Sequence, residues 1–444
     1  MAELIRSSKA CSVYPLKMSQ PLGAVYAILG VKNSMPIMHG SQGCAAFAKT
    51  FLTRHFWENI PMQTTALSEI VTIMGGDENL HTALKNVIEK NKPEFVGVVS
   101  TGVSETRGDD TEGSIKMFRE LYDEYSHTKI VFVSTPDYVG SFHEGYSKAV
   151  SSILRSLLRA PMKKSPNQIN LLISYSMTAK DIDAIEELIK SFGFKPVIFP
   201  DMRSLDGQAK AFSSITKYGT DIRDIEMMPA STITIAIGES VREAGEYLEK
   251  KFMIPMFYYD SLIGLENFDS LISLLINLSG KEPPESVKRW RDRLLDAMVD
   301  SHFYLTGKKV VVAGEPDFLW GMANFLTKEM GAEVPLIVSP TYADGLENLP
   351  VGKVIIGDLE DILLHIDGSD IDLLIGNTNL RHIAKEIKAP HYRVGIPIFD
   401  RLGHFLKGYI GYEGTANLVF ELANLLMERD EEASYHIPEH IKRR

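Results

Sequence analysis

Short, continuous apolar segments alternate with amphipathic ones along this chain, and this alternation restricts its fold more than any other feature. The segment Phe95 to Ser100 is typical of a parallel strand that helices cover on both faces. Further strands are predicted at Met35 to Met38, Lys129 to Ser134, Ile169 to Ser174, Lys195 to Phe199, Thr232 to Ile237, Lys309 to Ala313, Pro335 to Val338, Lys353 to Ile356 and Asp372 to Ile375. Helices are predicted at Leu80 to Ile88, Gly145 to Leu158, Ala179 to Phe192, Glu239 to Lys250 and Leu319 to Met330. The alternation predicts an α/β fold.

The chain length predicts more than one such unit. At about 150 residues per domain, 444 residues correspond to roughly three domains. A proline- and lysine-containing linker at Pro161 to Pro166 and a long amphipathic helix opened by Pro283-Pro284 separate the blocks. We therefore expect three αβα Rossmann-like domains with mainly parallel sheets, at residues 1–165, 166–300 and 301–444. The polar segment Met1 to Tyr14 is predicted to be an arm, and Glu428 to Arg444 a solvated end.

Charge and composition argue against several classes of function. The net charge of −11 disfavours nucleic acid or an anionic membrane as the main partner. Leu271 to Leu278 is about the longest apolar patch, far below the roughly 18 residues of a membrane span. The segment Met1 to Lys9 lacks the apolar stretch of a signal peptide. Two cysteines predict no disulfide framework and a reducing compartment, so we expect a cytoplasmic protein.

The loops after the strands do not resemble nucleotide-binding loops. Gly314-Glu315-Pro316 stands where a dinucleotide-binding fold carries its glycine fingerprint, but it holds one glycine followed by an acid and a proline. Neither the tight turn nor close approach to a pyrophosphate is then available. The sequence also contains no phosphate-binding loop ending in Gly-Lys-Ser or Gly-Lys-Thr. The fold class suggests a nucleotide, and the loops argue against one.

The segment His39-Gly40-Ser41-Gln42-Gly43-Cys44 is the most informative candidate for chemistry. A predicted strand precedes it and a helix running to Phe56 follows, which places Cys44 at a helix N-terminus. The positive end of a helix favours the thiolate, the form that binds metals or attacks electrophiles. Thr101 to Glu105 follows a neighbouring strand, so both segments are candidates for one site. The alternative is a cysteine that only fills space in the core.

Other candidate residues give weaker signals. Ser19 is a predicted N-cap, followed by Pro21 and by a helix whose apolar face carries Leu22, Val25, Tyr26 and Leu29 and which ends at Gly30. His39 could assist Cys44 in catalysis, but we expect it in the turn or core. Capping or solvated roles are expected for Glu69 and Asp77, and Cys11 is expected to be a free surface thiol. The twelve histidines form no pair with helical metal-ligand spacing.

A single thiolate cannot hold an iron–sulfur cluster, which ordinarily takes about four protein ligands. If Cys44 binds a cluster, the other ligands come from another chain and the site is an interface. In that case we expect the isolated chain to be free of iron, with the helix Leu22 to Leu29 and the Cys44 turn partly exposed.

Several motifs together resemble the β-type subunits of the nitrogenase component 1 family. They are Tyr14 to Ala24, Met38 to Cys44, Arg54 to Phe56, Ser100 to Asp110, Ser134 to Tyr138, Gly314 to Phe318, Gly395 to Arg401 and Gly411 to Gly414. These segments are spread over nearly the whole chain, and the amino-terminal ones are specific. The resemblance implies three αβα domains, in agreement with the prediction from the strand pattern.

The resemblance also implies a metal site. The family's catalytic β subunit presents three cysteines to the P-cluster, and their positions correspond here to Ser19, Cys44 and Gly102. Of these three positions only Cys44 is a cysteine. This one-cysteine pattern resembles that of the β-like subunit of the scaffold that assembles the iron–molybdenum cofactor. Cys44 would then be one ligand of a [4Fe–4S] cluster shared with an α-like subunit that supplies three cysteines. Ser19, Gly43 and Gly102 would line the cluster pocket without binding metal.

The same resemblance implies the partners. It implies an α2β2 complex, a cofactor precursor held mainly by the α-like subunit, transient docking of the nitrogenase iron protein, and no catalytic residue in this chain. Three alternatives stay open at this point. They are a subunit of a nitrogenase-like reductase such as dark protochlorophyllide reductase, a scaffold subunit of a vanadium system, and a structural scaffold without metal.

Overall fold

A computed structural model describes residues 2–9, 12, 15–68, 76–207, 213–366, 368 and 370–434. Within these residues the strands form three sheets, and every pair of neighbouring strands is parallel. Helices connect and cover the strands, so the predicted α/β class with Rossmann-like parallel sheets is confirmed. No helix within the described ranges combines the length and apolarity needed to cross a bilayer.

The first sheet carries the candidate site. The elements of this part are β1 (Glu3–Arg6), α1 (Gln20–Leu29), β2 (Ser34–His39), α2 (Gln42–Phe56), β3 (Gln63–Thr64), α3 (Asp77–Asn91), β4 (Phe95–Ser100), α4 (Gly102–Arg107), α5 (Thr111–Leu121), β5 (Lys129–Val133) and α6 (Phe142–Leu157). The strand order is β3-β2-β4-β5. In the β2–β4 pair, Ser34 lies opposite Phe95 and His39 opposite Ser100, so the carboxyl ends of β2 and β4 are level.

The second sheet has the order β7-β6-β8-β9. The elements of this part are β6 (Gln168–Leu172), α7 (Ala179–Ser191), β7 (Lys195–Phe199), α8 (Ile222–Glu226), β8 (Thr234–Ile237), α9 (Arg242–Phe252), β9 (Met256–Tyr259), α10 (Glu266–Ser279) and α11 (Glu285–Leu305). Helix α7 begins at a full capping box, in which Thr178 and Asp181 each bond the other's backbone N–H. This local signal explains why the predicted start of the helix agrees with the structure.

The third sheet includes a strand from the other end of the chain. The carboxyl-terminal elements are β10 (Lys309–Ala313), α12 (Pro316–Asn324), β11 (Glu333–Ser339), β12 (Lys353–Ile356), α13 (Glu360–His365), β13 (Leu373–Gly376), α14 (Arg381–Ile387), β14 (His391–Arg393) and α15 (Gly411–Ser434). The strand order is β1-β12-β11-β10-β13-β14, so the predicted amino-terminal arm supplies an edge strand. The predicted domain limits at residues 165 and 300 stay a prediction.

Helix α1 packs against α6 at backbone contact. A Cβ added to Gly23 would lie 2.0 Å from the Phe142 carbonyl oxygen, and one added to Gly145 would lie 1.9 Å from the Gln20 oxygen. All ten residues of α1 are buried within this chain alone. The expectation that Leu22 to Leu29 would be partly exposed without a partner is therefore wrong, because α6, the first sheet and the segment Met202–Leu205 cover the helix.

This close contact leads to a test of stability. We expect Gly145→Ala to lower the free energy of unfolding by about 1–3 kcal/mol, because the added methyl group overlaps the Gln20 backbone. Gly43→Ala is the matched control, since Gly43 is also helical and its Cβ would meet only Ser41 Oγ at 4.0 Å. Alanine is favoured over glycine in a helix, so the control should be neutral or slightly stabilising. Thermal unfolding midpoints measure both, and equal midpoints would contradict the packing argument.

Candidate metal centre

The turn that carries Cys44 is fixed by its contact with the end of β4. The Thr101 hydroxyl donates to the His39 carbonyl oxygen at 2.9 Å. A Cβ on Gly40 would lie 2.5 Å from Thr101 Oγ1, so a larger residue at this position would force Thr101 to move. Thr64 Oγ1 donates to the Gly40 oxygen at 3.0 Å from the other side. The turn after β2 is thus held by both neighbouring strands.

His39 supports the turn from the core. Its Nδ1 lies 3.1 Å from Thr65 Oγ1 and its Nε2 lies 3.2 Å from Asp109 Oδ2. Thr65 Oγ1 also accepts from the Gly40 N–H at 3.1 Å. Burial lowers the pKa of His39 below its ordinary value, although the carboxylate of Asp109 opposes this shift. His39 therefore has the structural role that the sequence favoured over a catalytic pair with Cys44.

Cys44 is the third residue of α2 and its side chain is exposed. The Ser41 hydroxyl donates to Cys44 Sγ at 3.4 Å. The alternative of a buried, space-filling cysteine is therefore wrong. Within the described ranges, no group of three or more His, Cys, Asp or Glu side chains could hold a metal ion. Cys11 lies outside the described residues.

Gly43 leaves open space next to the Cys44 thiol, and Gly102 leaves open space at the turn that follows β4. A Cβ on Gly43 would meet nothing closer than 4.0 Å, and one on Gly102 would make an ordinary 3.5 Å contact with Asp137 Cβ. Gly102 is the first residue of helix α4, whose capping box is formed by Thr101 and Ser104. Cys44 and Gly102 thus lie in the first turns of the helices that follow β2 and β4.

The loop from Thr135 to Gly140 connects this edge to Ser19. Asp137 lies beside the space that a side chain at position 102 would enter, and the Lys17 ammonium partly counters the burial that raises the pKa of the Asp137 carboxyl. The side chain of Gln20 donates to the Val139 carbonyl oxygen at 2.6 Å. Ser19 occupies the N-cap position of α1, but its side chain makes no capping bond. Ser19 and Gly102 thus border the same loop.

Large apolar side chains project into solvent around this edge. They are Phe47 (73% exposed), Val103, Tyr138 and Val139. Phe47 lies one helical turn after Cys44, and Val103 follows Gly102 directly. We call this set the Cys44 patch. Exposed apolar side chains that cluster in this way are typical of protein–protein interfaces.

A second place where ligands could collect is filled by side chains. The segments that follow β6, β10 and β14 meet in a cleft around Val394. The cavities there measure about 40, 20 and 10 Å³. Tyr175 and Phe318 are among the side chains that occupy the space. Such volumes hold a few water molecules at most.

A larger cavity of about 580 Å³ lies elsewhere, between α7, the start of α11 and the start of α15. Its backbone amides at Tyr409 and Ile410 already donate to the buried Asp181 carboxylate, at 2.6 and 3.1 Å. These donors are therefore not free for an anionic ligand. No residue of the Cys44 turn lines this cavity.

Glu315, in the loop between β10 and α12, is a buried acid beside the cleft. Ser141 Oγ lies 2.7 Å from Glu315 Oε2 and 3.0 Å from Glu144 Oε2. One hydroxyl proton cannot serve both contacts, so a carboxyl must carry a second. Burial, with help from Glu144 and Asp317, raises the pKa of Glu315 to about 8. Glu315 is thus mostly neutral at pH 7.

This shift predicts a pH dependence of stability. Between its ordinary pKa of 4.5 and about 8, folded Glu315 keeps a proton that the unfolded chain releases. The contribution of Glu315 to stability is therefore lost as the pH rises through this window, by a few kcal/mol at most. Glu315→Gln, which mimics the neutral acid, should gain stability relative to the parent between pH 5 and pH 8. Denaturation at both pH values measures this gain, and a constant difference would contradict the protonated state.

Comparison with known proteins agrees with this architecture. The sequence model of the family of nitrogenase component 1 type oxidoreductases matches residues 19–427 of this chain. The chain belongs to the nitrogenase component 1 family. A solved structure titled "Nitrogenase Cp1 at pH 6.5" aligns with a TM-score of 0.90 at 31% identity, covering 98% of this chain and 96% of that one. A chain from a solved structure titled "Nitrogenase Cp1 at pH 5" has the same fold, with a TM-score of 0.74 at 14% identity, covering 97% of this chain and 92% of that one.

Three similar proteins carry the same name. A protein from Nostoc sp. named nitrogenase iron-molybdenum cofactor biosynthesis protein NifN is 44% identical over 97% of both chains. The protein of that name from Bradyrhizobium diazoefficiens is 41% identical, covering 97% of this chain and 93% of its own length. The one from Klebsiella pneumoniae is 37% identical, covering 98% and 95%. The resemblance seen in the motifs is confirmed at the level of the family.

Proposed function

We propose that this chain is the β-like subunit of the scaffold on which the iron–molybdenum cofactor of nitrogenase is assembled and matured. In this proposal Cys44 is one ligand of a [4Fe–4S] cluster whose other ligands belong to a partner subunit. The observation that carries it is an exposed thiol at a helix N-terminus, with exposed apolar side chains near it and, among the described residues, no group of three or more side chains that could hold a metal by itself.

The residues present fit one corner of a cluster. Thiolates bind iron–sulfur clusters, and Cys44 lies where the positive end of α2 favours a negative charge. Gly43 and Gly102 leave the surface next to the thiol open. Ser19 offers only a neutral hydroxyl, which is a poor iron ligand beside a thiolate. This donor set suits a shared four-iron cluster better than the larger P-cluster.

The Cys44 patch supports a partner of complementary shape. We infer an α-like subunit of the NifE type that supplies three cysteines and covers Phe47, Val103 and Tyr138 in an α2β2 complex. The nitrogenase iron protein would dock transiently near the shared cluster. The partner would also hold the cofactor precursor, which is consistent with cavities of only about 40 Å³ or less around Val394 in this chain.

The names of the similar proteins favour the scaffold over a nitrogenase-like reductase. The relatives from Nostoc sp. and Klebsiella pneumoniae, at 44% and 37% identity, are both named for cofactor biosynthesis. We therefore propose no catalytic residue in this chain. Its contribution is a ligand, a pocket wall and a docking surface.

Removal of the ligand tests the proposal. In the complex coexpressed with the α-like partner, Cys44→Ala should abolish the shared cluster, because a methyl group cannot bind iron. Iron and sulfide analysis and the EPR spectrum of the reduced complex report the loss. Cys11→Ala is the control and should keep both. Full iron and an unchanged EPR signal in the Cys44 variant would refute the assignment.

The two positions without a cysteine allow a sharper test. The double change Ser19→Cys with Gly102→Cys should place thiols beside the cluster and alter its EPR spectrum or reduction potential. The structure accepts a side chain at Gly102, since its Cβ makes only a 3.5 Å contact. Ser12→Cys with Ser126→Cys adds the same number of thiols and should leave the spectrum unchanged, because Ser12 bonds to Asp358 and the exposed Ser126 precedes the amino-terminal end of β5. If the thiols at 19 and 102 alkylate freely while the cluster signal stays unmoved, these positions do not face the metal.

A further inference from the structure

The hydroxyl of Ser41 is directed at the proposed ligand instead of at the helix. Ser41 is the N-cap residue of α2, with extended backbone angles of φ −72° and ψ 157°. A serine in this position usually accepts a bond from a backbone N–H of the first turn. Here its side chain makes no capping bond, and the hydroxyl donates to Cys44 Sγ at 3.4 Å.

The surrounding residues hold the backbone of Ser41 in place. Thr64 Oγ1 lies between the carbonyl oxygens of Gly40 and Ser41, at 3.0 and 3.5 Å, and so restrains the backbone on which Ser41 sits. The Thr101 hydroxyl donates a hydrogen bond to the carbonyl oxygen of His39, two residues before Ser41. Gly43 carries no side chain, and the atom nearest to its missing Cβ is Ser41 Oγ at 4.0 Å. The hydroxyl therefore has open space on the side of Gly43.

We propose that Ser41 donates a hydrogen bond to the ligating sulfur of Cys44 and thereby raises the reduction potential of the shared cluster. This inference rests on the proposed function of Cys44. A donor at a ligating sulfur withdraws negative charge from the thiolate, which stabilises the more negative, reduced cluster. The uncapped amides at the start of α2 act in the same direction. Ser41 is a positioning and tuning residue, and it does not bind the metal.

Variants that differ only in the hydroxyl test this inference in the complex coexpressed with the α-like partner. Ser41→Ala and Ser41→Val lack the donor, and Ser41→Thr, which has the shape of valine, keeps it. Iron content and an EPR-monitored redox titration are measured for each. We expect full iron in all three, a lower midpoint potential in the alanine and valine variants, and a potential close to the parent's in the threonine variant.

The other outcomes each overturn the inference. Parental potentials in the alanine and valine variants would leave Ser41 without influence on the cluster. A shift in the threonine variant equal to that in the valine variant would assign the effect to shape. Loss of iron without the hydroxyl would make Ser41 necessary for holding the cluster, and not a tuning residue. Retention of the cluster in Cys44→Ala would refute the proposed function itself, independently of Ser41.

Discussion

The contact between the ends of β2 and β4 is the constraint on which the candidate site depends. The two strands are parallel and in level register, so His39 and Ser100 end side by side. The bond from the Thr101 hydroxyl to the His39 oxygen then places Thr101 where a larger residue at position 40 would force it to move. Because both turns lead directly into helices, this contact sets the starts of α2 and α4. Cys44 and Gly102 are positioned by it.

At the Cys44 edge, hydrogen-bonded side chains pack under the turn, and the other side of the turn is open to solvent. His39, Thr65 and Asp109 form a buried network under the turn, whereas Cys44 and Phe47 reach solvent. The cleft around Val394 shows the opposite arrangement. Its side chains fill the space, and the buried side chain of Glu315 is kept protonated by its raised pKa. Of these two edges, the one at Cys44 is open and the cleft around Val394 is closed.

How far the sequence predicts this structure depends on the range of the interactions involved. The strands Lys195–Phe199, Lys309–Ala313 and Lys353–Ile356 have the predicted bounds, because their signal is a local run of apolar residues between polar turns. The strand–turn–helix around Cys44 was also predictable, since glycines and the start of an apolar helix are adjacent there. Helix α12 begins at Pro316, before the predicted start at Leu319, because proline is well suited to a first helical turn.

The sequence by itself determined the α/β class, the family and the single thiolate at a helix N-terminus. Only the tertiary structure decided which distant segments meet. Strand β1 pairs with β12 although their residues are about 350 positions apart, and Ser141 bonds to Glu315. It also decided that α1 is buried on all sides and that the Ser41 hydroxyl faces Cys44 Sγ. Local periodicity specifies which face of a segment is apolar, but the partner of that face is chosen by packing of the whole chain.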